Sequence, residues 1–349
     1  MQSDRIMEKK FDAVMIVSFG GPEGMDDVRP FLENVLRGKN VPPERMEEVA
    51  HHYEMFDGIS PINAQNRELK ELLEAELAAH GIDIPVYWGN RNWAPYIKDT
   101  IAEMKADGTR SCLNYMTSGY SCYSGCRQYR ENVRDAQEAL EAEDMTFGKI
   151  RVFYNHPNWI EVNALRVRDA LAEIPEERRA NTHIAFTAHS IPMAMSDNSA
   201  YVTQLEESCR LVARELGHEH FRLVYQSRSG PPSMPWLEPD ICDHLDTLKA
   251  AGVEDVVIHP IGFVSDHMEV IFDLDTEAME HCTEIGLNMI RSLAAGNHPL
   301  VISMIRELIE ERLFDGIEKR SVGDRPPNHD VCPENCCMPM KRPAARPTA

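Results

Sequence analysis

Apolar residues along this chain fall into two patterns. Short, nearly unbroken runs occur at 13–17 (AVMIV), 85–88 (PVYW), 112–116 (CLNYM), 150–154 (IRVFY), 183–188 (HIAFTA), 222–226 (RLVYQ) and 255–263 (DVVIHPIGF). Runs this short, rich in Val, Ile and aromatic residues, read as buried strands. Between them lie longer segments, such as 63–80, 158–174 and 199–217, with apolar positions every three or four residues. These read as amphipathic helices, the last closing on Gly217, a residue suited to a helix C-terminus. Strands alternating with helices predict parallel sheets built from βαβ units. The alternation runs twice, with a break near 143–151. It predicts an α/β protein of two doubly wound, Rossmann-like domains, 11–148 and 149–320, with a cleft between them. In such sheets ligands bind beyond the carboxyl ends of the strands. From Ser321 the periodicity is lost and six of the chain's 22 prolines gather, so 321–349 reads as a tail, not a domain.

Composition adds little to this picture and charge adds more. With 349 residues, 43% apolar and 27% charged, the chain is an ordinary globular sequence long enough for two domains. Its formal net charge is −21, from 57 acidic against 36 basic residues. That balance argues against nucleic acid or an anionic membrane as partner, since phosphate binding needs clustered Lys and Arg. No stretch approaches the roughly 18–20 apolar residues of a membrane span. The opening MQSDRIMEKKFDAVMIVSFGG carries an apolar run too short for a secretory leader. The expectation is a cytoplasmic protein whose nine cysteines stay reduced.

Two strands of the second half end in groups able to hold a metal or move a proton. His189 directly follows 183–188, and Glu269 follows 255–263 after a short turn. Singly, each has an ordinary explanation: a strand-end histidine, and a first-turn acid that complements a helix dipole. Together they put an imidazole and a carboxylate at the carboxyl end of one sheet. Glu269 also opens a row with Asp273 and Glu277, at i, i+4 and i+8. On an α-helix this spacing stacks three carboxylates on one face, with repulsion of a few tenths of a kcal/mol per pair. Imidazole plus carboxylate suits a borderline divalent ion such as Fe²⁺, and a neutral imidazole with its ordinary pKa near 6.5 suits a base. GGPEG at 20–24 matches neither nucleotide-binding glycine pattern and reads as a tight turn. Ser190, beside His189, lacks the G-x-S-x-G setting of a hydrolase nucleophile.

The tail carries Cys332, Cys336 and Cys337 in CPENCC. Three thiolates leave a tetrahedral zinc or a two-iron cluster one ligand short. The segment SCYSGC at 121–126 offers Cys122 and Cys126. From the residues alone, an iron–sulfur cluster, zinc and uncommitted thiols all stay open.

The segments SFGGPEGMDDVRPFLENVLRG, GISPIN, YSGCRQYREN, FTAHSIP, YQSRSGPPSMPWLEPD and IGFVSDHMEVIFDLD occur in that order over about 11–315. They resemble the ferrochelatases, most nearly the actinobacterial type of the coproporphyrin-dependent haem pathway. The resemblance implies a chelatase-like fold and a monomeric lyase, not inserted in a membrane, that places Fe²⁺ in coproporphyrin III to form coproheme. Relatives in other lineages use protoporphyrin IX, and a carrier of iron or tetrapyrrole without chemistry is the alternative outside the enzymes. The resemblance makes His189 and Glu269 the iron-site pair and Asp273 and Glu277 an acidic path on a helix with a π-type irregularity. It implies that Ser60 and Tyr129 contact the tetrapyrrole, with Tyr53, Arg37 and Tyr154 in neighbouring pocket motifs. It pairs Cys126 with Cys332, Cys336 and Cys337 around a 2Fe–2S cluster. Two features depart from the family. Phe19 stands where some coproporphyrin enzymes place an iron-ligating Tyr, and a phenyl ring cannot coordinate; the C-x3-C-C tail spacing is also tighter. The lack of an apolar membrane-binding lip further points to a soluble enzyme.

Overall fold

The computed structural model describes residues 10–38, 41–231 and 233–340, so the last nine residues of the expected tail lie outside the described residues. Among the described residues, eight strands form two four-stranded sheets in which every pairing is parallel. The first sheet has the order β2-β1-β3-β4, from β1 (Ala13–Ser18), β2 (Val86–Asn90), β3 (Ser111–Met116) and β4 (Thr146–Lys149). The second, β6-β5-β7-β8, comprises β5 (His183–His189), β6 (Phe221–Gln226), β7 (Asp255–His259) and β8 (Asn288–Arg291). The second sheet repeats the topology of the first. In each, the chain moves from its first strand to one side and then crosses to the other. The topological switch point therefore falls between β1 and β3, and between β5 and β7. All six residues of β1 are buried, as expected of a central strand with helices on both faces.

The apolar run at 150–154 is not a strand. The fourth strand lies just upstream, pairing Ser111 with Thr146 through Asn114 with Lys149. Residues 150–156 then leave the sheet and stay buried as they cross between the halves. There Phe153 packs edge-on against Trp159, with centroids 5.2 Å apart. The Arg151 guanidinium forms a two-pronged pair with Glu311 at 2.8 and 2.9 Å. Periodicity reported burial, which this segment has, but not ladder partners, which it lacks. Likewise 255–263 stops pairing at His259, because Pro260 has no N–H to donate. The short β8 gives no such signal in the sequence.

Six helices matter for the site: α1 (Met25–Leu36), α2 (Pro43–Glu54), α3 (Ile62–Ala79), α4 (Pro157–Ala172), α5 (Tyr201–Leu216) and α6 (Pro299–Leu313). α5 ends on Gly217 at φ 63°, the left-handed cap its spacing predicts. α4 and α6 each begin with Pro behind a histidine, and the Nδ1 atoms of His156 and His298 accept from Asn158 and Leu300 N–H at 3.3 and 3.2 Å. α6 packs on both α3 and α4, tying the halves together. In the shared core the Trp159 Nε1–H donates to the Tyr120 hydroxyl (3.2 Å), which donates to the Ile261 carbonyl (3.0 Å). The described part of the tail has neither helix nor strand but is docked on the body. Val322 N–H donates to Asn155 O at 2.9 Å, and the Arg127 guanidinium to the carbonyls of Glu334 and Cys336 at 2.9 and 3.0 Å. Among the described residues no helix is long and apolar enough to cross a membrane.

Candidate active site

Three neighbouring strands of the second sheet end at one place. β5 ends on His189, at the switch point; β6 ends on Gln226 and is followed by Ser227; β7 leads through a loop to a helix whose first turn carries Glu269. His189 Nε2 lies 3.2 Å from Glu269 Oε1. His189 Nδ1 faces the carbonyl of Ser190, which can only accept, so this nitrogen carries a hydrogen. The Tyr201 hydroxyl holds the His189 backbone carbonyl at 3.1 Å. About a third of the His189 side chain and two-fifths of that of Glu269 face solvent (34% and 42%), so the pair is open to an incoming ligand.

Burial disfavours a charge on His189, but the adjacent Glu269 carboxylate outweighs it and raises the imidazole to about 9. Burial likewise works against Glu269. The facing imidazolium overcomes it, helped by His267 and Ser227, and the carboxyl falls to about 2. Without ligand these opposite shifts favour an ion pair. The ordinary value near 6.5 belongs to a solvated ring, and the facing carboxylate moves His189 upward from it. Asp273 behaves oppositely. Burial first, then the Glu269 charge, raises it to about 7, even though Ser227 and Gln226 (3.1 Å) both donate to its Oδ2. Glu277, further out and exposed, is also raised, by burial and Asp240.

The helix carrying this row is not the α-helix that the spacing alone predicts. Met268–Val270 is a single α turn, and Ile271–Ala278 is π-helical, with i→i+5 bonding. In this wider turn Glu269 meets the end of β5 while Asp273 meets the end of β6. From the first half, α2 and α3 reach over the same segment. His52 stacks on Phe272 with centroids 3.7 Å apart and planes 12° from parallel. Gln65 donates to the Asp266 carbonyl at 3.1 Å. Tyr53, set edge-on to Phe31 at 5.7 Å, feels the Glu269 charge in addition to burial, and both raise its hydroxyl pKa.

The ferrochelatase family model matches residues 11–313. The chain belongs to the ferrochelatase family. It is thus a metal chelatase, of the lyase class. It is 55% identical to a ferrochelatase of Rhodopirellula baltica, over 96% of each chain. It is 50% identical to a coproporphyrin III ferrochelatase of Streptomyces griseus, over 94% of this chain and 93% of the other. Among solved structures, SirB from Bacillus subtilis with Fe³⁺ superposes with a TM-score of 0.54 over 87% of this chain and 99% of the other. At 14% identity that likeness concerns the two-sheet fold.

Within this ferrochelatase fold, Tyr53 is drawn toward the pair, and the other four pocket candidates lie as follows. Ser60 is buried behind the glycine turn, donating its N–H to Pro22 O at 2.9 Å, with its Cβ 2.6 Å from where a Cβ on Gly21 would sit. Gly20, at φ +81°, turns so closely that a Cβ would lie 2.9 Å from Asn90 Cβ, so only glycine suits the turn. Arg37 is exposed at the end of α1 and paired with Asn34. Tyr129 is buried against the first sheet with Ile97 and Met104, its hydroxyl raised to about 12 by burial despite Arg91 nearby. Tyr154 lies in the shared core, its carbonyl accepting from Ser208 Oγ at 2.6 Å. Sequence reasoning did not name Ser227, whose φ of 62° is rare outside Gly, Asn and Asp and whose hydroxyl donates to Asp273 and lies close enough to Glu269 to lower its carboxyl as well. Met25, Met55 and Ile59, in and beside α1 and α2, are each about half exposed, and Gly58 packs on Met25.

The cysteines named from the sequence gather at one place. Cys336 and Cys337 Sγ are 3.5 Å apart, and Cys332 interacts with both Cys126 and Cys336. Cys126, at 5% exposed, and Cys337, at 3%, form its floor. Cys332 is lowered to about 4, chiefly by Cys126 acting against burial, with Lys149 and Arg130 contributing.

Proposed function

We propose that this protein inserts Fe²⁺ into coproporphyrin III during haem biosynthesis, acting as a cytoplasmic monomer. The observation that carries the reading is the His189–Glu269 pair, 3.2 Å apart at the switch point, with Asp273 next in line. Relatives named coproporphyrin III ferrochelatase, at 46–50% identity over 94–97% of this chain, support the choice of porphyrin. Both members of the pair come from one chain, which suits a monomer. Reduced thiols suit the cytoplasm.

Metal insertion requires Fe²⁺ to shed water, the macrocycle to bend, and two pyrrole protons to leave. Glu269 is anionic and ready to meet a cation, but His189 can ligate only as a neutral ring, so iron binding must expel its proton. Asp273, at about 7, is matched to receive it at working pH. Ser227 bridges the two carboxyls and gives the proton a path from Glu269 to Asp273, after which Glu277 leads to solvent. Pyrrole protons follow the same route. The α1–α2 rim and the π segment, joined by the His52–Phe272 stack, are the walls between which the ring is gripped, and Tyr53 faces it from the rim. Ser60, Arg37, Tyr129 and Tyr154 stand further from the pair and help shape those walls.

The tail thiols fit a 2Fe–2S cluster. Cys126, Cys332, Cys336 and Cys337 would hold it as four thiolate ligands, with Lys149 and Arg130 offsetting their charge. When bound, the cluster would cross-link tail and body. The deciding experiment is an anaerobic Fe²⁺ assay with coproporphyrin III and protoporphyrin IX side by side. A kcat/KM at least about tenfold higher for coproporphyrin is expected; equal or reversed values reject the substrate assignment. A His189→Ala variant that still binds porphyrin must lose insertion, and full activity would instead favour a carrier.

A further inference from the structure

The tail site holds one donor more than a four-ligand cluster needs. His329 Nε2, Cys332 Sγ and Cys336 Sγ all lie within 4.8 Å of one another, and the His329 Nε2 to Cys336 Sγ distance is 3.9 Å. Zn–S bonds of about 2.3 Å and Zn–N bonds of about 2.0 Å put the ligands of a tetrahedral ion roughly 3.5–3.8 Å apart. The three atoms are thus already near the edges of one coordination sphere. They come from a single short loop with the spacing H-x2-C-x3-C. Their accessibility is graded: His329 is exposed, Cys332 and Cys336 half-buried, and Cys126, the neighbour of Cys332, is buried beneath. A closed floor and an exposed histidine on top suit capture of an ion from solution. Neither Cys126 nor Cys337 lies within 4.8 Å of all three: Cys126 meets Cys332, and Cys337 meets Cys336 at 3.5 Å, so the two offer alternative fourth donors to the trio.

We propose that the tail site has a second binding mode, in which His329, Cys332, Cys336 and Cys126 hold a single tetrahedral divalent ion such as Zn²⁺. In this mode Cys337 is spare; in the cluster mode His329 is spare. The two modes share three thiols and exclude each other. The loop is therefore competent to close on the body before a cluster is available, with an ion in its place. This rests on the cluster reading only for the identity of the competing occupant.

The test is a double dissociation on full-length protein freed of metal under reducing conditions. Co²⁺ serves as the spectroscopic probe, and Zn²⁺ is titrated in competition with it; iron and sulfide reconstitution is run separately. Wild type is expected to bind one Co²⁺ with sulfur-to-cobalt charge-transfer absorption and intense tetrahedral ligand-field bands. His329→Ala should weaken Zn²⁺ binding by at least about tenfold yet keep full cluster absorbance. Cys337→Ser should do the reverse, losing the cluster and keeping Zn²⁺ affinity within about threefold. His329→Cys should restore Co²⁺ binding with stronger charge transfer, which guards against a misfolded Ala variant. Absence of a tetrahedral Co²⁺ spectrum in wild type overturns the proposal, as does unchanged Zn²⁺ affinity in His329→Ala. If the cluster fails to assemble in wild type while the Co²⁺ results hold, the cluster reading falls and the ion mode stands.

Discussion

Replacing Glu269 with Gln keeps the shape of the site and removes the largest charge that holds His189 protonated. The elevation of His189 from 6.5 to about 9 corresponds to about 3 kcal/mol, each pH unit being worth about 1.4 kcal/mol. That is an upper bound, because 34% of one side chain and 42% of the other are open to solvent. Direct attraction at 3.2 Å is about 1.3 kcal/mol in bulk water and about 5 at an effective dielectric of 20. A screened value of about 2 kcal/mol is the reasonable middle, or about 1.5 pH units. The assay is NMR titration of the His189 ring protons in metal-free, porphyrin-free protein, with the resonance assigned by its absence in His189→Gln. Wild type is expected to titrate well above 7, and Glu269→Gln about 1.5 units lower, because burial is then opposed only by the Ser190 carbonyl and Asp273. Stability must follow the same sign. A raised imidazole contributes in full below its unfolded value of 6.5, and that contribution is lost as pH rises through about 9. Seen from Glu269, the same attraction is present above 4.5 and lost as pH falls through about 2. The gap in thermal stability between wild type and Glu269→Gln should thus be widest near pH 4.5–6.5 and close above about pH 9. A wild-type midpoint near 6.5, or midpoints within about half a unit of each other, would refute the ion pair and the proton route built on it.

Other expected outcomes follow from single contacts. Ser227→Ala removes the hydroxyl shared by Asp273 and Glu269 and should slow metal insertion about tenfold with porphyrin KM little changed, a hydrogen bond to a charged group being worth about 1.5–3 kcal/mol. Ser227→Gly loses the same hydroxyl but relaxes a φ of 62°, so it should be as slow as Ser227→Ala while unfolding at higher denaturant than that variant. Arg151→Met strands Glu311, 2% exposed, without its partner and should lower stability by about 3–5 kcal/mol in urea unfolding. Adding Glu311→Leu should recover most of that loss, and equal damage from single and double variants would mean the pair is not what holds the crossing segment. Cys337→Ser should abolish the visible absorbance of reconstituted protein, and a full spectrum would refute the cluster ligand set.

What the sequence disclosed and what it withheld divide along one physical line. Strand-end position is written in the one-dimensional pattern, because a short buried run must stop where its ladder stops. His189 and Glu269 were therefore legible as neighbours before any geometry was known. The crossing segment at 150–154 misled, since full burial looks the same in a strand as in a connection pinned by Arg151 and Glu311. Ser227 was invisible, because its importance lies in a positive φ that no serine announces. His329 is weakly marked in the sequence, because a single exposed histidine near cysteines is common and only the fold brings its ring beside Cys332 and Cys336. The charge state of His189 was withheld most completely. A titration value is a property of separations, and the same His and Glu a few ångströms further apart would leave the neutral base first expected. The π turn matters here beyond decoration. In a regular α-helix Glu269 and Asp273 would face the same partner, and two buried like charges would compete for it. The wider turn sends Glu269 to β5 and Asp273 to β6, so one carboxyl stays ionised against His189 while the other is raised to about 7 as a proton acceptor. Two carboxyls four residues apart acquire opposite roles because the backbone between them adds a residue to its turn, which makes the helix irregularity part of the acid–base chemistry.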